Sequence, residues 1–255
     1  ISKKLLKEGH EVVCLDKYTR SNIIDGTEVN NYPNGLNWVL HFGASTSIRD
    51  SFENPFFTYA NNTNSTLQAI KIARHCNAVL LFMSSYIYGN PRYLPIDEKH
   101  PVSSTNPYMG SKITGEEICR QLSHLLKFPL IILRVFNIYG DFEIPGRLIS
   151  DLLQAVRQGN SLVLNDPVPK RDYLYIKDFE ALVIRIIAEI PPKTGTYNVG
   201  YGQSYSNLQV AEIVQELSGI TPPIKIKSEL RPNDIPDCTV DISLIKNTFA
   251  WVPKY

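Results

Sequence analysis

The chain has 255 residues, 43% hydrophobic and 20% charged, with 26 Lys+Arg against 25 Asp+Glu for a net charge of +1. That is the composition of an ordinary globular protein with room for one large core and a smaller lobe, and it excludes a disordered or fibrous chain. A charge this close to zero supplies no long-range field for nucleic acid or an anionic membrane, so an anionic ligand has to be held by local groups.

Cys14, Cys76, Cys119 and Cys238 are widely scattered, without the close pairs of a zinc site or the density of a disulfide scaffold, which fits reduced thiols and no metal. No apolar run approaches the roughly 20 residues of a membrane span. The opening Ile1-Ser2-Lys3-Lys4-Leu5-Leu6 lacks the apolar core of a secretion signal, so the expected location is the cytoplasm.

In chain order, Ile1 to Lys7 reads as the end of an amphipathic helix stopped at Gly9, a residue that accepts the left-handed conformation. Glu11-Val12-Val13-Cys14-Leu15 reads as a short buried strand ending at Asp16. Trp38-Val39-Leu40-His41-Phe42 is a second strand pattern, followed by the small residues Gly43-Ala44-Ser45, which allow close approach to the backbone. A helical pattern runs from about Pro55 to Arg74. Then come the apolar run Val79 to Met83 leading into Ser84, a helix predicted over Pro107 to Leu126, and the apolar run Leu130-Ile131-Ile132-Leu133. Near-continuous apolar strands alternating with long helices indicate an α/β chain of Rossmann type, a doubly wound parallel sheet with helices on both faces. Ligands of such sheets bind beyond the carboxyl ends of the strands, which here carry Asp16, Phe42-Gly43-Ala44, Ser84-Ser85 and Arg134-Val135-Phe136-Asn137.

Past Tyr139-Gly140 the alternation loosens and prolines become frequent, with helices expected near 147–158 and 207–218. The resulting division assigns 1–140 and part of 171–200 to a dinucleotide-binding domain, and 141–170 with 201–255 to a smaller α/β substrate lobe.

The stretch Asn106-Pro107-Tyr108-Met109-Gly110-Ser111-Lys112 carries candidate chemistry. Asn106 is a good helix cap and Pro107 suits the first helical position. Tyr108 and Lys112 then share a face at i and i+4, where an ammonium is placed to draw a phenol down from its usual pKa of about 10 and make it a general base. Ser84-Ser85 at a strand end offers a hydroxyl to steer a substrate proton toward it. With 14 Tyr and 26 Lys+Arg, such a Tyr-x-x-x-cation spacing arises on the order of once by chance, so context decides. Asp16, at the end of a second dinucleotide-fold strand, is placed to accept ribose hydroxyl hydrogen bonds and to favour NAD, while Lys17 and Arg20 leave room for a 2′-phosphate. His41 reads as a packed or hydrogen-bonded histidine, and Tyr86, Tyr88, Tyr139 and Tyr175 as packing groups, with Tyr86 also able to line a sugar pocket.

Asp16, His41-Phe42-Gly43-Ala44, Asn61-Asn62-Thr63-Asn64-Ser65-Thr66, Ser84-Ser85-Tyr86-Ile87-Tyr88-Gly89, Tyr108-Met109-Gly110-Ser111-Lys112, Arg134 to Gly140 and Arg171-Asp172-Tyr173-Leu174-Tyr175 occur together in this order. This series resembles the extended short-chain dehydrogenase/reductases that act on nucleotide sugars, and most of all the UDP-glucose 4-epimerase-like members. The resemblance implies an NAD-dependent enzyme in which Tyr108 is the base, Lys112 lowers its pKa and holds the nicotinamide ribose, and Ser84 bridges the sugar hydroxyl to the tyrosine. Further cofactor contacts are implied at Asp16, Phe42, Gly43, Ala44, Ser45, Asn61 and Phe136. Substrate contacts are implied at Ser85, Tyr86, Asn137, Arg171, Arg231 and Asp234, with the arginines on the diphosphate of a UDP-sugar or a similar nucleotide-diphosphate sugar. A homodimer through the helices beginning near Pro55 and Pro107 is implied as well.

The related 4,6-dehydratases carry Asp-Glu after the catalytic hydroxyl residue; here Ser85 and Tyr86 stand there, which disfavours water elimination and leaves C4 epimerisation through a 4-keto sugar. An NAD(P)H-dependent keto-sugar reductase and a non-catalytic nucleotide-binding relative are the alternatives. The glycine-rich phosphate loop expected ahead of Asp16 is absent, the 16–38 span is short for the usual third strand and helix, and the family's last helix is not reached. These segments are expected to lie outside the given chain.

Overall fold

The computed structural model describes residues 1–15, 34–143, 145–228 and 234–255. A short helix, α1 (Ser2–Lys7), ends as expected with Gly9 at φ +87°. Glu11 to Leu15 forms no strand, contrary to the sequence reading. An apolar run becomes a strand only where a neighbour completes its ladder, and the described residues provide none there.

The main sheet begins with β1 (Trp38–His41). It continues through α2 (Ile48–Glu53), α3 (Pro55–Cys76), β2 (Val79–Ser85), α4 (Pro107–Leu126) and β3 (Leu130–Val135). The smaller elements are β4 (Asn137–Tyr139), α5 (Leu148–Arg157), β5 (Leu162–Leu164), β6 (Lys170–Tyr175) and α6 (Ile176–Ile187). Then β7 (Gly195–Val199) returns to the main sheet, followed by β8 (Ser204–Ser206), α7 (Asn207–Ser218), β9 (Ile224–Ile226) and α8 (Ser243–Phe249). The main sheet has the order β1-β2-β3-β7 with every pairing parallel. Beside it stand a β4-β6-β8 sheet and a β5-β9 pair.

The apolar runs are continuous because both faces are covered. Leu80, Phe82 and Ile132 pack against Ala69, Ile70 and Ala73 of α3 and Cys119 of α4. Leu81, Ile131 and Leu133 pack the other way, against Phe179, Leu182, Val183 and Ile186 of α6 and Phe249 and Trp251 near α8. This alternation fixes which way each polar residue at the strand ends points, because successive side chains of a strand face opposite sides. A third cluster joins α5, α7, β5 and β9 through Leu152, Leu162, Leu164, Val210 and Val214. Among the described residues no helix is long and apolar enough to cross a membrane.

Candidate active site

Helix α4 starts where its sequence dictates: the Asn106 side chain accepts from the Met109 N–H at 2.8 Å and Pro107 occupies the first turn. That puts Tyr108 at the sheet's carboxyl edge and Lys112 one turn deeper. The two do not act on each other as the spacing predicts. The Lys112 ammonium is buried and lies 4.6 Å from the centre of the Phe82 ring, a cation over an aromatic face. Burial draws its pKa down to about 8, against the opposing influence of Cys119 and Glu116. Tyr108, instead of being lowered, is pushed above the usual phenol value by burial, with the nearby Ser85 hydroxyl and the Arg147 charge opposing the rise. The desolvation of the phenolate outweighs both.

The serine beside Tyr108 is Ser85. Ser84 is in register with Arg134 of β3, and Arg134 with Asn198 of β7, a polar row on the face that α4 covers. The Ser84 Oγ is close enough to Glu116 to favour its carboxylate but makes no well-formed hydrogen bond.

The turn after β1 is tied to both long helices. Ser45 N–H donates to Asn62 Oδ1 at 2.7 Å, and Asn62 Nδ2 donates to the Ser45 carbonyl at 3.2 Å and to Ser111 Oγ at 2.8 Å. Ser111 Oγ in turn donates to the Tyr108 carbonyl at 2.7 Å. Asn61 Nδ2 donates to Ser45 Oγ at 3.1 Å, while its buried Oδ1 has no partner. Asn62 is the residue that sequence reasoning passed over: it stands in the same Asn-Asn motif, but only the fold reveals which amide bridges. His41 is a packed residue, bonded to Thr66 Oγ1 at 3.3 Å and kept neutral by burial, which lowers its pKa to about 3. Phe42 packs edge-on to Phe179 at 6.1 Å, and Ala44 is half-buried in the same turn. A side chain built on Gly43 would meet only His41 Cε1, at 3.9 Å.

On the far side, Phe136 follows β3 and meets the Tyr86 ring edge-on at 5.3 Å. Tyr86 donates its hydroxyl to the Gly89 carbonyl at 2.6 Å, and Tyr88, buried, donates to Asn198. Asn137 Nδ2 donates to the Asp172 carbonyl at 3.2 Å. Arg171 is held ready, with Nη1 on the Ile235 carbonyl at 2.6 Å and Nη2 paired to Asp234. Asp16 and Arg231 lie outside the described residues.

This constellation is a tyrosine with an adjacent serine, a buried lysine below it, amides and small residues after β1, and an arginine across the edge. Residues 1–200 match a family described as the NAD dependent epimerase/dehydratase family. The chain belongs to this family. The UDP-glucose 4-epimerase of Bos taurus is 32% identical over 237 residues, covering 84% of this chain and 68% of that one. The UDP-glucose 4-epimerase of Bifidobacterium longum, in complex with NAD+ and UDP, superposes with a TM-score of 0.79 at 29% identity, over 87% of this chain and 73% of that one. That of Thermus thermophilus, solved with NAD, gives a TM-score of 0.83 at 23% identity over 99% and 89% of the two chains, which supports the Rossmann-type fold.

NAD is the cofactor of this epimerase family, and the residues present fit it. The open face of Gly43 and the unpartnered Asn61 Oδ1 and Ser84 Oγ lie where the carboxyl ends of parallel strands receive a dinucleotide.

Proposed function

We propose that this family member is an NAD-dependent epimerase of a nucleotide-diphosphate sugar, a UDP-sugar first of all, acting at C4 through a transient 4-keto sugar. The observation that carries the reading is Tyr108 at the sheet's carboxyl edge with Ser85 beside it and the buried, unpartnered Ser84 Oγ next in the strand, together with Ser85 and Tyr86 where a dehydratase would need a second acid and base. In its phenolate form Tyr108 takes the proton from the sugar hydroxyl and later returns it, and the positive charge that NAD would bring to the site offsets the burial that raises the phenol's pKa. Ser84, whose buried Oγ has no partner, bridges that hydroxyl to the phenol, and Ser85 beside Tyr108 contacts the sugar. Lys112 holds positive charge below the pair. Bound NAD supplies reversible hydride acceptance, so the reaction needs no net oxidant.

In the same reading Phe42, Gly43, Ala44, Ser45, Asn61 and Phe136 surround the cofactor, with Asp16 on its ribose. Asn137, Arg171 and Arg231 hold the diphosphate, Asp234 stands near the nucleotide ribose and Tyr86 lines the sugar pocket. The Arg171–Asp234 pair keeps the guanidinium extended, and guanidinium forks suit phosphate oxygens. A homodimer would use the outer faces of α3 and α4, where Leu67, Lys71, Leu122 and Leu126 line a groove.

The purified full-length protein is expected to convert UDP-glucose, or its N-acetylated counterpart, to the 4-epimer without added dinucleotide. Consumption of NADPH with a keto sugar, or release of a 4-keto-6-deoxy product, would overturn this. Ser84→Ala is expected to lower kcat by about 10- to 100-fold, and Ser85→Ala by less. Steady-state kinetics of the two variants check the order.

A further inference from the structure

Segment 234–241 is laced to β6, β8 and the loop after β2 by bonds that the chemistry at Tyr108 does not require. Its first two residues hold Arg171. Nη1 of that guanidinium donates to the Lys170 carbonyl at 2.8 Å and to the Ile235 carbonyl at 2.6 Å, and Nη2 donates to Asp234. Three of the five donors of an arginine are thereby committed. Among the described residues Nε–H and one Nη2–H keep no acceptor, and these are left for the oxygens of a ligand. Asp234 and Ile235 therefore aim the guanidinium, and whatever fixes their own position aims it too.

Asp237 is at the centre of that support. Its Oδ1 accepts from the Thr239 N–H at 3.0 Å and the Thr239 hydroxyl at 2.9 Å, which closes the chain on itself between 237 and 239. The same oxygen accepts from the Ser204 hydroxyl of β8 at 2.8 Å. Its Oδ2 faces the Lys170 ammonium at 3.8 Å. On either side the backbone is anchored: the Lys170 N–H donates to the Pro236 carbonyl at 2.9 Å, the Ile96 N–H to the Thr239 carbonyl at 2.9 Å, and the Asp241 N–H to the Ile96 carbonyl at 2.8 Å. These backbone bonds hold the ends of the stretch, and the carboxylate sets the bend between them.

From this geometry we infer that Asp237 is a positioning residue for Arg171: it holds the bend that presents Asp234 and the Ile235 carbonyl to the guanidinium, and so directs the donors that Arg171 has left. The inference rests on the reading of Arg171 as a diphosphate ligand, and it names what orients that arginine before the ligand arrives. A long side chain already held in its binding conformation loses less freedom on binding. Removing the bend should therefore weaken diphosphate binding more than it slows turnover of bound substrate.

The test is heteronuclear NMR of full-length, arginine-labelled protein, with the Arg171 signals assigned by their loss in Arg171→Lys. A guanidinium held by three acceptors gives separate Nη1 and Nη2 signals, whereas one that rotates freely gives their average. In Asp237→Ala the Arg171 signals are expected to collapse to the average. In Asp237→Asn, whose amide oxygen can accept the same bonds, they are expected to stay separate. Ser204→Ala, a milder change that removes one donor to Asp237, is expected to move them toward the average. Calorimetric titration with UDP is expected to show an affinity about 10-fold lower in Asp237→Ala, with kcat at saturating substrate nearly unchanged. Separate signals in Asp237→Ala, or in Ser204→Ala if the first variant does not fold, would overturn the inference and leave Asp237 as a tie of the scaffold; so would an unchanged UDP affinity beside collapsed signals. The NMR readout uses neither cofactor nor substrate. Collapse on substitution of a protein whose wild type binds no UDP would sink the functional reading alone, and separate signals in an active epimerase would sink this inference alone.

Discussion

Tyr108→Phe is expected to lower epimerase turnover by at least about 1,000-fold while leaving the fold intact. The phenol is the group in this edge of the sheet that can take and return a proton, and a positioned acid–base group contributes about 100- to 10,000-fold. Because the same oxygen acts in both the forward and the return transfer, the loss belongs at the upper part of that range. Structurally the substitution removes one hydroxyl from beside Ser85, an effect of at most about 1 kcal/mol. The ring itself stays packed at the start of α4. Circular dichroism and thermal melting should therefore be nearly unchanged while the conversion of UDP-sugar, followed by chromatography, disappears. Retained dinucleotide in the purified variant would separate loss of chemistry from loss of cofactor. Unchanged epimerisation in Tyr108→Phe would remove the central assignment.

The helix that carries this tyrosine was legible in the sequence to the residue, because Asn106 and Pro107 mark its start and the apolar pattern continues to Leu126. The parallel sheet was legible for a similar reason: a strand covered on both faces has an apolar residue at nearly every position. What the sequence does not carry is direction. Ser84 and Ser85 are adjacent and chemically identical, and only the register that aligns Ser84 with Arg134, and Arg134 with Asn198, turns Ser84 toward Glu116 and leaves Ser85 to Tyr108. Spacing alone placed Lys112 on the face of Tyr108, but the side chain lies down on Phe82, a choice made by packing. Glu116 and Arg134 lie 18 residues apart, and no local pattern joins them. Glu11 to Leu15 shows the opposite limit, an apolar run that reads as a strand and forms none, with no partner for it among the described residues.

Asp172→Ala is expected to cost about 3–5 kcal/mol of stability at neutral pH. Asp172 is fully buried on β6. Its carboxylate accepts from the N–H of Tyr201 at 2.6 Å and of Gly202 at 2.9 Å, and the Val240 and Gln203 N–H groups lie close enough to favour its ionised form. It thereby joins β6 to the turn after β7 and to the segment leading into α8. The fit is tight: a side chain added at Gly200 would stand 2.7 Å from the Asp172 carboxylate and 2.5 Å from Val240. Alanine leaves these buried N–H groups without an acceptor, and each such orphan costs about 1–3 kcal/mol before relaxation. The same burial raises the carboxyl pKa from 3.8 to about 6. The folded protein then holds this proton where the unfolded chain has released it, so stability from this group is highest below about pH 4, falls as pH rises toward 6 and is flat above. The fall is on the order of 3 kcal/mol, two pKa units at about 1.4 kcal/mol each. Urea titrations of both proteins at pH 4.5 and pH 7 should show the wild type losing part of its lead as pH rises and still keeping it at pH 7. Equal stabilities at pH 7 would mean that water reaches the N–H groups once the carboxylate is gone, and that the turn is held by Gly200 and Val240 instead.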